Sequence, residues 1–348
     1  MSILEGHLTR RDLIAASAAS TFTALVLPGS AVRAQSDPLP SWNDGPTKQA
    51  ILDFVTQTIT EGGPDFVPPE ERVAAFDQDG TLWVEQPMYT EVEFVLARVP
   101  DLVMARPDLA DSEPYKTILS GDRAAIAKLP LKDVFEVALA TMSGMTPEVF
   151  ADEVNAWLAT ARHSRWDRPY TDLTYLPMQE VLAYLRANGY RTFIATGGNV
   201  GFVRPYSERV YGIPPEQVSG SAQPLKFAVD AGGTPTLTRE PRMALSNLEA
   251  GKIENFFMVY GRTPYAQFGN SSGDDQQALE YVKASPGLRL SVAILHDDAE
   301  REYAYGPADG LPDSGVGTFS QAMYDMAIKQ GWIVVSMKND WNRIFAWD

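Results

Sequence analysis

Val73-Ala74-Ala75-Phe76-Asp77-Gln78-Asp79-Gly80-Thr81 is a short apolar run that stops in an Asp-Gly turn. The run predicts a buried strand, and the turn lifts two carboxylates off its end. Residues two apart on a strand point the same way, so Asp77 and Asp79 can face one site while Gln78 points elsewhere. Asp-Gly is also common in plain surface turns, so the pair needs support from the rest of the chain. The chemistry it suits is specific. One carboxylate attacks phosphorus, the second protonates the leaving oxygen and later activates water, and a hard cation holds their charge.

Outward from this strand the periodicity divides the chain. Residues 49–60 predict a helix ended by Gly62-Gly63-Pro64, after a Pro-rich linker at about 35–46. Residues 84–169 show helical spacing and no strand; within them Thr146-Pro147 reads as a helix cap with proline at the first helical position. Alternation follows: a helix at 177–187, a buried strand at 190–195, a helix at about 203–210 and a turn-rich stretch at 219–250 that can hold a hairpin. Further strands are expected at 265–268, 288–295 and 332–336. Strands alternating with helices predict an α/β fold, a doubly wound and mainly parallel sheet, with a helical insertion after the first strand motif. The domains expected are a core of residues 35–83 and 170–348 and an insertion of 84–169.

The chain has 348 residues, 45% hydrophobic, enough for a substantial core. A formal net charge of −16 repels nucleic acid and anionic lipid, so neither is expected as a partner. With no cysteine, disulfides, thiolate zinc sites and cysteine nucleophiles are excluded. Thr9-Arg10-Arg11-Asp12-Leu13-Ile14, a mildly apolar stretch and the small-residue site Val32-Arg33-Ala34 have the layout of a secretory signal. The paired arginines resemble a twin-arginine export signal, which implies the twin-arginine machinery as a partner, cleavage after Ala34, a periplasmic destination and no stable membrane association afterwards.

Three further segments carry chemistry. Thr196, at the expected end of the second core strand and ahead of Gly197-Gly198-Asn199, offers a hydroxyl and backbone amides to a phosphate oxygen. Lys252 is a cation that could neutralise Asp77 and phosphoryl oxygens. Gly269-Asn270-Ser271-Ser272-Gly273-Asp274-Asp275 follows a strand and presents the oxygen ligands that magnesium takes. The same string fits Gly-x-Ser-x-Gly, which makes Ser271 the nucleophile of an alternative serine esterase. That reading needs a histidine; His163 comes before the serine, and His296 follows it too soon. His296-Asp297-Asp298 reads as a surface turn, and Arg204 and Arg209 as surface residues that could help hold an anion.

In order, these segments resemble the haloacid dehalogenase-like superfamily of phosphohydrolases over about residues 72–280. Asp77-Gln78-Asp79-Gly80-Thr81 matches its Asp-x-Asp-Gly-Thr motif, and Ala195-Thr196-Gly197-Gly198-Asn199 looks most like the phosphoserine-phosphatase branch. Asn270 stands where the family usually has a metal-binding acid, and Asp275 doubles the last one. The resemblance implies a Rossmann-like core with 84–169 as a substrate-selecting cap. It also implies Asp77 as nucleophile, Asp79 as general acid/base, and Thr196, Gly197 and Lys252 holding the phosphoryl group. Mg2+ would sit on the Asp77 side chain, the Asp79 carbonyl, Asn270 and Asp274. Trp83 and Glu85 are candidate contacts at the hinge. The function expected is an exported magnesium-dependent phosphatase acting on a small phosphorylated metabolite through an aspartyl-phosphate. A phosphotransferase would use the same residues, and a non-catalytic phospho-ligand-binding protein could use the same fold.

Overall fold

The computed structural model describes residues 37–348. The export signal expected at 1–34 lies outside the described residues. Six strands form one sheet: β1 (Val73–Phe76), β2 (Arg191–Asn199), β3 (Val218–Ser221), then, after the hairpin β4 (Leu225–Val229) and β5 (Pro235–Arg239), β6 (Ala266–Gly269), β7 (Leu290–Leu295) and β8 (Ile333–Ser336). The sheet order is β3-β2-β1-β6-β7-β8 and every neighbouring pair is parallel. Every residue of β1, β6 and β7 is buried, as strands covered on both faces must be.

Among the sheet strands alone, this is the doubly wound order in which the direction of winding reverses between the first and fourth. That reversal lies between β1 and β6, and the crevice it opens beyond their carboxyl ends is where such sheets bind ligands. Phe76 and Phe268 stack in register across it at 4.3 Å, fixing the two strand ends side by side.

The helices, in chain order, begin with α1 (Pro46–Ile59). The insertion contributes α2 (Thr90–Ala105), α3 (Tyr115–Leu119), α4 (Arg123–Ile126), α5 (Leu131–Thr141) and α6 (Pro147–Thr160). The core adds α7 (Leu176–Ala187), α8 (Val200–Tyr211), α9 (Ala250–Asn255), α10 (Gln276–Ala284), α11 (Gln321–Gln330) and α12 (Met337–Asp340). Thr146 caps α6 by accepting from the Val149 amide, with Pro147 at the first helical position.

Two departures from the sequence reading concern the strands. β2 runs on through Thr196 to Asn199, because the segment pairs with β3 across a register irregularity between Ala195 and Asn199. β3 itself, Val218-Ser219-Gly220-Ser221, has one apolar side chain and no alternation to announce it. Gly220 is required there, since a Cβ would meet the Gly198 carbonyl, Thr196 and Val200. The hairpin expected within 219–250 forms as β4–β5, an antiparallel pair separate from the sheet.

The insertion shares its apolar cluster with the core. Phe94 on α2 packs against Phe150 (5.8 Å) and Trp157 (5.5 Å) of α6 and Phe202 (5.3 Å) of α8. The hairpin joins in through Arg239. Its amide donates to the Met145 carbonyl, its carbonyl accepts from the Gly144 amide, and its guanidinium lies 4.0 Å over the Phe150 ring while donating to the Met142 carbonyl. Phe94→Ala should therefore destabilise insertion and core together by about 3–5 kcal/mol. In urea, tryptophan fluorescence and far-UV circular dichroism should shift as one coincident transition; separated transitions would contradict a shared core.

Candidate active site

Asp77 stands at the first position beyond β1, its amide donating to the Phe268 carbonyl at 2.9 Å, so the backbone of β6 sets where the carboxylate points. The chain then turns tightly. The Gln78 carbonyl accepts from the Leu82 amide at 2.8 Å and the Gly80 amide donates to the Trp83 carbonyl at 2.8 Å. Gly80 has φ +71°, which a side chain would strain, and a Cβ there would run into Asn270 and Glu85. Gln78 points away from the site, its amide donating to the Tyr206 hydroxyl at 2.6 Å. Asp79 accepts from the Trp83 indole at 2.8 Å, so Trp83 both packs against Tyr206 (5.3 Å) and holds the second carboxylate.

Lys252 reaches this rim from α9. Its ammonium, wholly buried, lies 2.9 Å from Asp77 Oδ1, 2.6 Å from Asp274 Oδ2 and 2.6 Å from Asp275 Oδ1. Asp275 is fully used: its other oxygen accepts from the Asn270 and Ser271 amides at 2.9 and 3.0 Å. It braces the loop from beneath. Asp274 is not used up, for its Oδ1 is buried without a hydrogen-bond partner. Thr196 is buried at the adjacent rim; its hydroxyl oxygen accepts from the Gly198 amide at 3.0 Å, which leaves the hydroxyl proton free to donate. Asn247 fixes this segment by donating to the Thr196 carbonyl at 2.8 Å. At Gly197 a Cβ would meet Leu248 and Asp274, so the backbone here approaches the acidic loop as closely as glycine allows.

Asn270 shares this site: its amide nitrogen donates to Glu85 Oε1 at 2.6 Å, and its oxygen faces the Thr81 hydroxyl at 3.4 Å. Ser271 has no base. Its hydroxyl faces Asp275, His163 is engaged with the Gln86 carbonyl and the Arg165 amide, and His296 with Gly80 and Glu302. Arg204 and Arg209 are exposed, and Arg204 donates to the Val218 carbonyl.

His296 departs from its reading as a surface turn. It is buried, donates from Nε2 to the Gly80 carbonyl at 2.8 Å, and sets Nδ1 3.2 Å from Glu302. Stacked on Tyr305, it supports the Asp77–Gly80 turn from below. In the sequence Glu85 reads only as a hinge contact, and nothing joins it to His296, Glu302 and Tyr305, because the segment 296–305 is far from it in the chain and carries no motif spacing. Asp275 carried one signal, the doubled acid after Asp274.

The electrostatics follow from burial. Burial, with Asp275 adding to it, pushes the Asp77 carboxyl well up, and the Lys252 ammonium opposes that rise. Burial works against the Lys252 charge, but Asp274, Asp275 and Asp77 outweigh it and hold the ammonium well above its usual value. Burial lifts Asp79 to about 6 against the Trp83 hydrogen bond, and Asp274 to about 7 against Lys252. Glu85 and Glu91 are each lifted by burial to about 7; Glu91 accepts from the Asn199 amide at 2.8 Å, beside the glycines.

The donor set fits a hard divalent cation. Asp77, Asp274 and Asp275 each have an oxygen within 4.8 Å of the others, and Asp275, held by Lys252 and two backbone amides, adds negative charge rather than a free ligand. Three carboxylates face one ammonium, an excess of negative charge, and the unpartnered Asp274 oxygen is a coordination position already desolvated.

A family model described as haloacid dehalogenase-like hydrolase matches residues 74–255. No curated protein matches the sequence. Among solved structures, a protein with unknown function from Bordetella pertussis Tohama I is similar at 15% identity, over 76% of this chain and 98% of that one, with a TM-score of 0.45. A phosphoserine phosphohydrolase-like protein from Francisella tularensis is similar at 16% identity over 65% and 88%, TM-score 0.35. Cytosolic 5'-nucleotidase IIIB bound to cytidine is similar at 12% over 84% and 86%, TM-score 0.41.

Asp79, Glu85, Glu91 and Asp274 all bind their protons more tightly in the folded chain than unfolded. From the ordinary carboxylate range up to about pH 7 the folded state holds the extra protons, so stability falls as pH rises through that window. In chelator, the melting temperature should drop as pH is raised from about 5.5 to about 7.5, and saturating Mg2+ should offset the drop. A flat or rising profile in chelator would overturn this account of the cluster.

Proposed function

The chain belongs to the haloacid dehalogenase-like hydrolase family, and from that premise we propose that it is a magnesium-dependent phosphatase acting on a small phosphorylated metabolite through an aspartyl-phosphate on Asp77. The observation that carries this reading is the Lys252 ammonium 2.9 Å from Asp77 Oδ1 at the reversal point of the sheet. It holds one carboxylate oxygen and leaves the other as nucleophile.

In the first step an Asp77 oxygen forms a bond to phosphorus while the ester P–O bond breaks. The proton on Asp79 goes to the departing alkoxide. Asp79, lifted to about 6, carries that proton in an appreciable fraction near neutrality, and the Trp83 indole keeps it oriented. In the second step ionised Asp79 takes a proton from water, whose oxygen bonds to phosphorus as the Asp77 O–P bond breaks; phosphate leaves and both carboxyl groups return to their starting states. Lys252, the Thr196 hydroxyl and the Gly197 backbone hold the phosphoryl oxygens. Asp77, the Asp79 carbonyl, Asn270 and Asp274 would hold Mg2+, which when bound would supply the charge that balances nucleophile and phosphoryl group. The near-complete burial of Asp77 and Thr196 supports a small substrate. The two histidines committed elsewhere weigh against the serine-esterase alternative.

Release of p-nitrophenol from its phosphate should require Mg2+, stop in chelator and be abolished in Asp77→Asn. Asp79→Asn should cost about 10²–10⁴-fold on an alkyl phosphate, whose leaving group needs the proton. The loss on p-nitrophenyl phosphate should be smaller. For the alkyl substrate kcat/KM should fall above about pH 6, as the acid form of Asp79 is titrated away. Metal-loaded, folded protein that cleaves no phosphomonoester would refute the proposal and favour a phospho-ligand-binding role.

The proposal keeps residues 1–34 as a twin-arginine-type signal and the periplasm as destination, on the pattern Arg10-Arg11 through Ala34. Replacing both arginines by lysine should leave the protein in the cytoplasmic fraction of a bacterial host; unchanged periplasmic recovery would refute it.

A further inference from the structure

Glu85 is a carboxylate that the catalytic assignment leaves idle, and its surroundings are costly to build. It is buried, and it accepts at Oε1 from both the Asn270 amide (2.6 Å) and the Tyr305 hydroxyl (2.8 Å). Two glycines with positive φ make room for it, Gly80 at +71° and Gly317 at +64°; a Cβ at either would collide with its carboxyl group. Its hydrogen-bond donors are neutral, and burying a carboxylate on neutral donors alone is unfavourable. Burial works against its charge, as does Asp79, while His296 favours it.

We propose that Glu85 is a positioning residue for the metal shell: it locks the Asn270 amide with its oxygen toward the cation and supplies, one side chain further back, the negative charge that position 270 lacks. The inference rests on the phosphatase reading of this site. Its first half follows from donor bookkeeping. Glu85 Oε1 accepts from the Tyr305 hydroxyl as well as from Asn270, so the Asn270 NH2 group is the end facing Glu85 and the carbonyl oxygen, 3.4 Å from the Thr81 hydroxyl, is the end left for the site. Without Glu85 the amide could turn over and present N–H groups to a cation. The second half follows from charge: a cation beside Asn270 favours the ionised form of Glu85, and the two residues in contact then carry together the single negative charge that an aspartate at 270 beside a neutral residue at 85 would carry.

A charge swap tests this directly. Mn2+ affinity, read by electron paramagnetic resonance of free and bound ion, and the Mg2+-induced rise in melting temperature should be measured for the parent protein, Glu85→Gln, Asn270→Asp and the double variant. Glu85→Gln should weaken Mn2+ binding about 10–100-fold, the range seen when a group orienting a ligand is lost. The double variant should recover affinity close to the parent's. Asn270→Asp alone should not tighten binding, because two touching buried carboxylates must share a proton. Melting in chelator checks that each variant folds; should Glu85→Gln fail, Tyr305→Phe, which releases Glu85 from one donor, should weaken Mn2+ in the same direction. Unchanged Mn2+ affinity in folded Glu85→Gln, or a double variant no tighter than Glu85→Gln, overturns the proposal while leaving the phosphatase reading intact. A parent protein that binds no Mn2+ in a manner sensitive to Asp77→Ala overturns both.

Discussion

The structure turns on one buried ammonium. Lys252 joins α9 to the ends of β1 and β6 through three carboxylates, each within 2.9 Å. None of those acids could remain ionised in so dry a place alone, and the ammonium could not remain charged without them. The cluster is therefore a mutual arrangement, in which removing the ammonium leaves three buried carboxylates with no cation beside them. It also adds charge to the packing that holds α9, whose Ile253 lies against the buried cluster of Val73, Ala75, Phe193 and Ala195. A site built this way is rigid before any ligand arrives, which is what electrostatic stabilisation of a developing charge requires.

Around the cluster the roles are divided by depth. Asp77, Asp79, Thr196 and Asp274 face the crevice. Asp275 and Asn247 hold the two loops that carry them, the first through two backbone amides, the second through the Thr196 carbonyl. Deeper still, His296 and Glu85 fix the turn at Gly80 and the amide of Asn270. The glycines fall where these layers touch: Gly80, Gly197 and Gly317 are positions where a methyl group would strike a neighbouring side chain of the site.

The upper layer was legible in the sequence and the lower one was not, for a physical reason. The nucleophile pair and the acidic loop follow strand ends and Thr196 lies near the end of β2, so strand periodicity finds them. Trp83, Glu85 and His296 act through contacts between strand ends far apart in the chain, and no spacing rule connects them. The sheet was legible for the same reason as the motifs, since buried parallel strands are continuous apolar runs. β3 was not, because Gly220 is required by close approach to Thr196 and Val200, and Ser219 and Ser221 serve hydrogen bonds to Tyr260 and the Gly197 carbonyl, constraints visible only once the fold brings these segments together. The positions of Thr196 and Lys252 depend on where β2 and α9 end, which boundary signals give only to within a few residues.

Arg239 has a consequence for how such proteins can diversify. Its guanidinium donates to Met142 at the end of α5, to Asn199 beside the Thr196 loop and to Gln223 at the foot of the hairpin, and its backbone pairs with Gly144 and Met145. Three segments far apart in sequence thus lean on one residue. The insertion is for this reason not a portable module: grafted onto another core without its hairpin, it would bring along buried carbonyls with nothing to satisfy them. Changes around Met142, Gly144 and Met145 are constrained by Arg239, so residues 84–169 and 225–239 are expected to change together rather than apart.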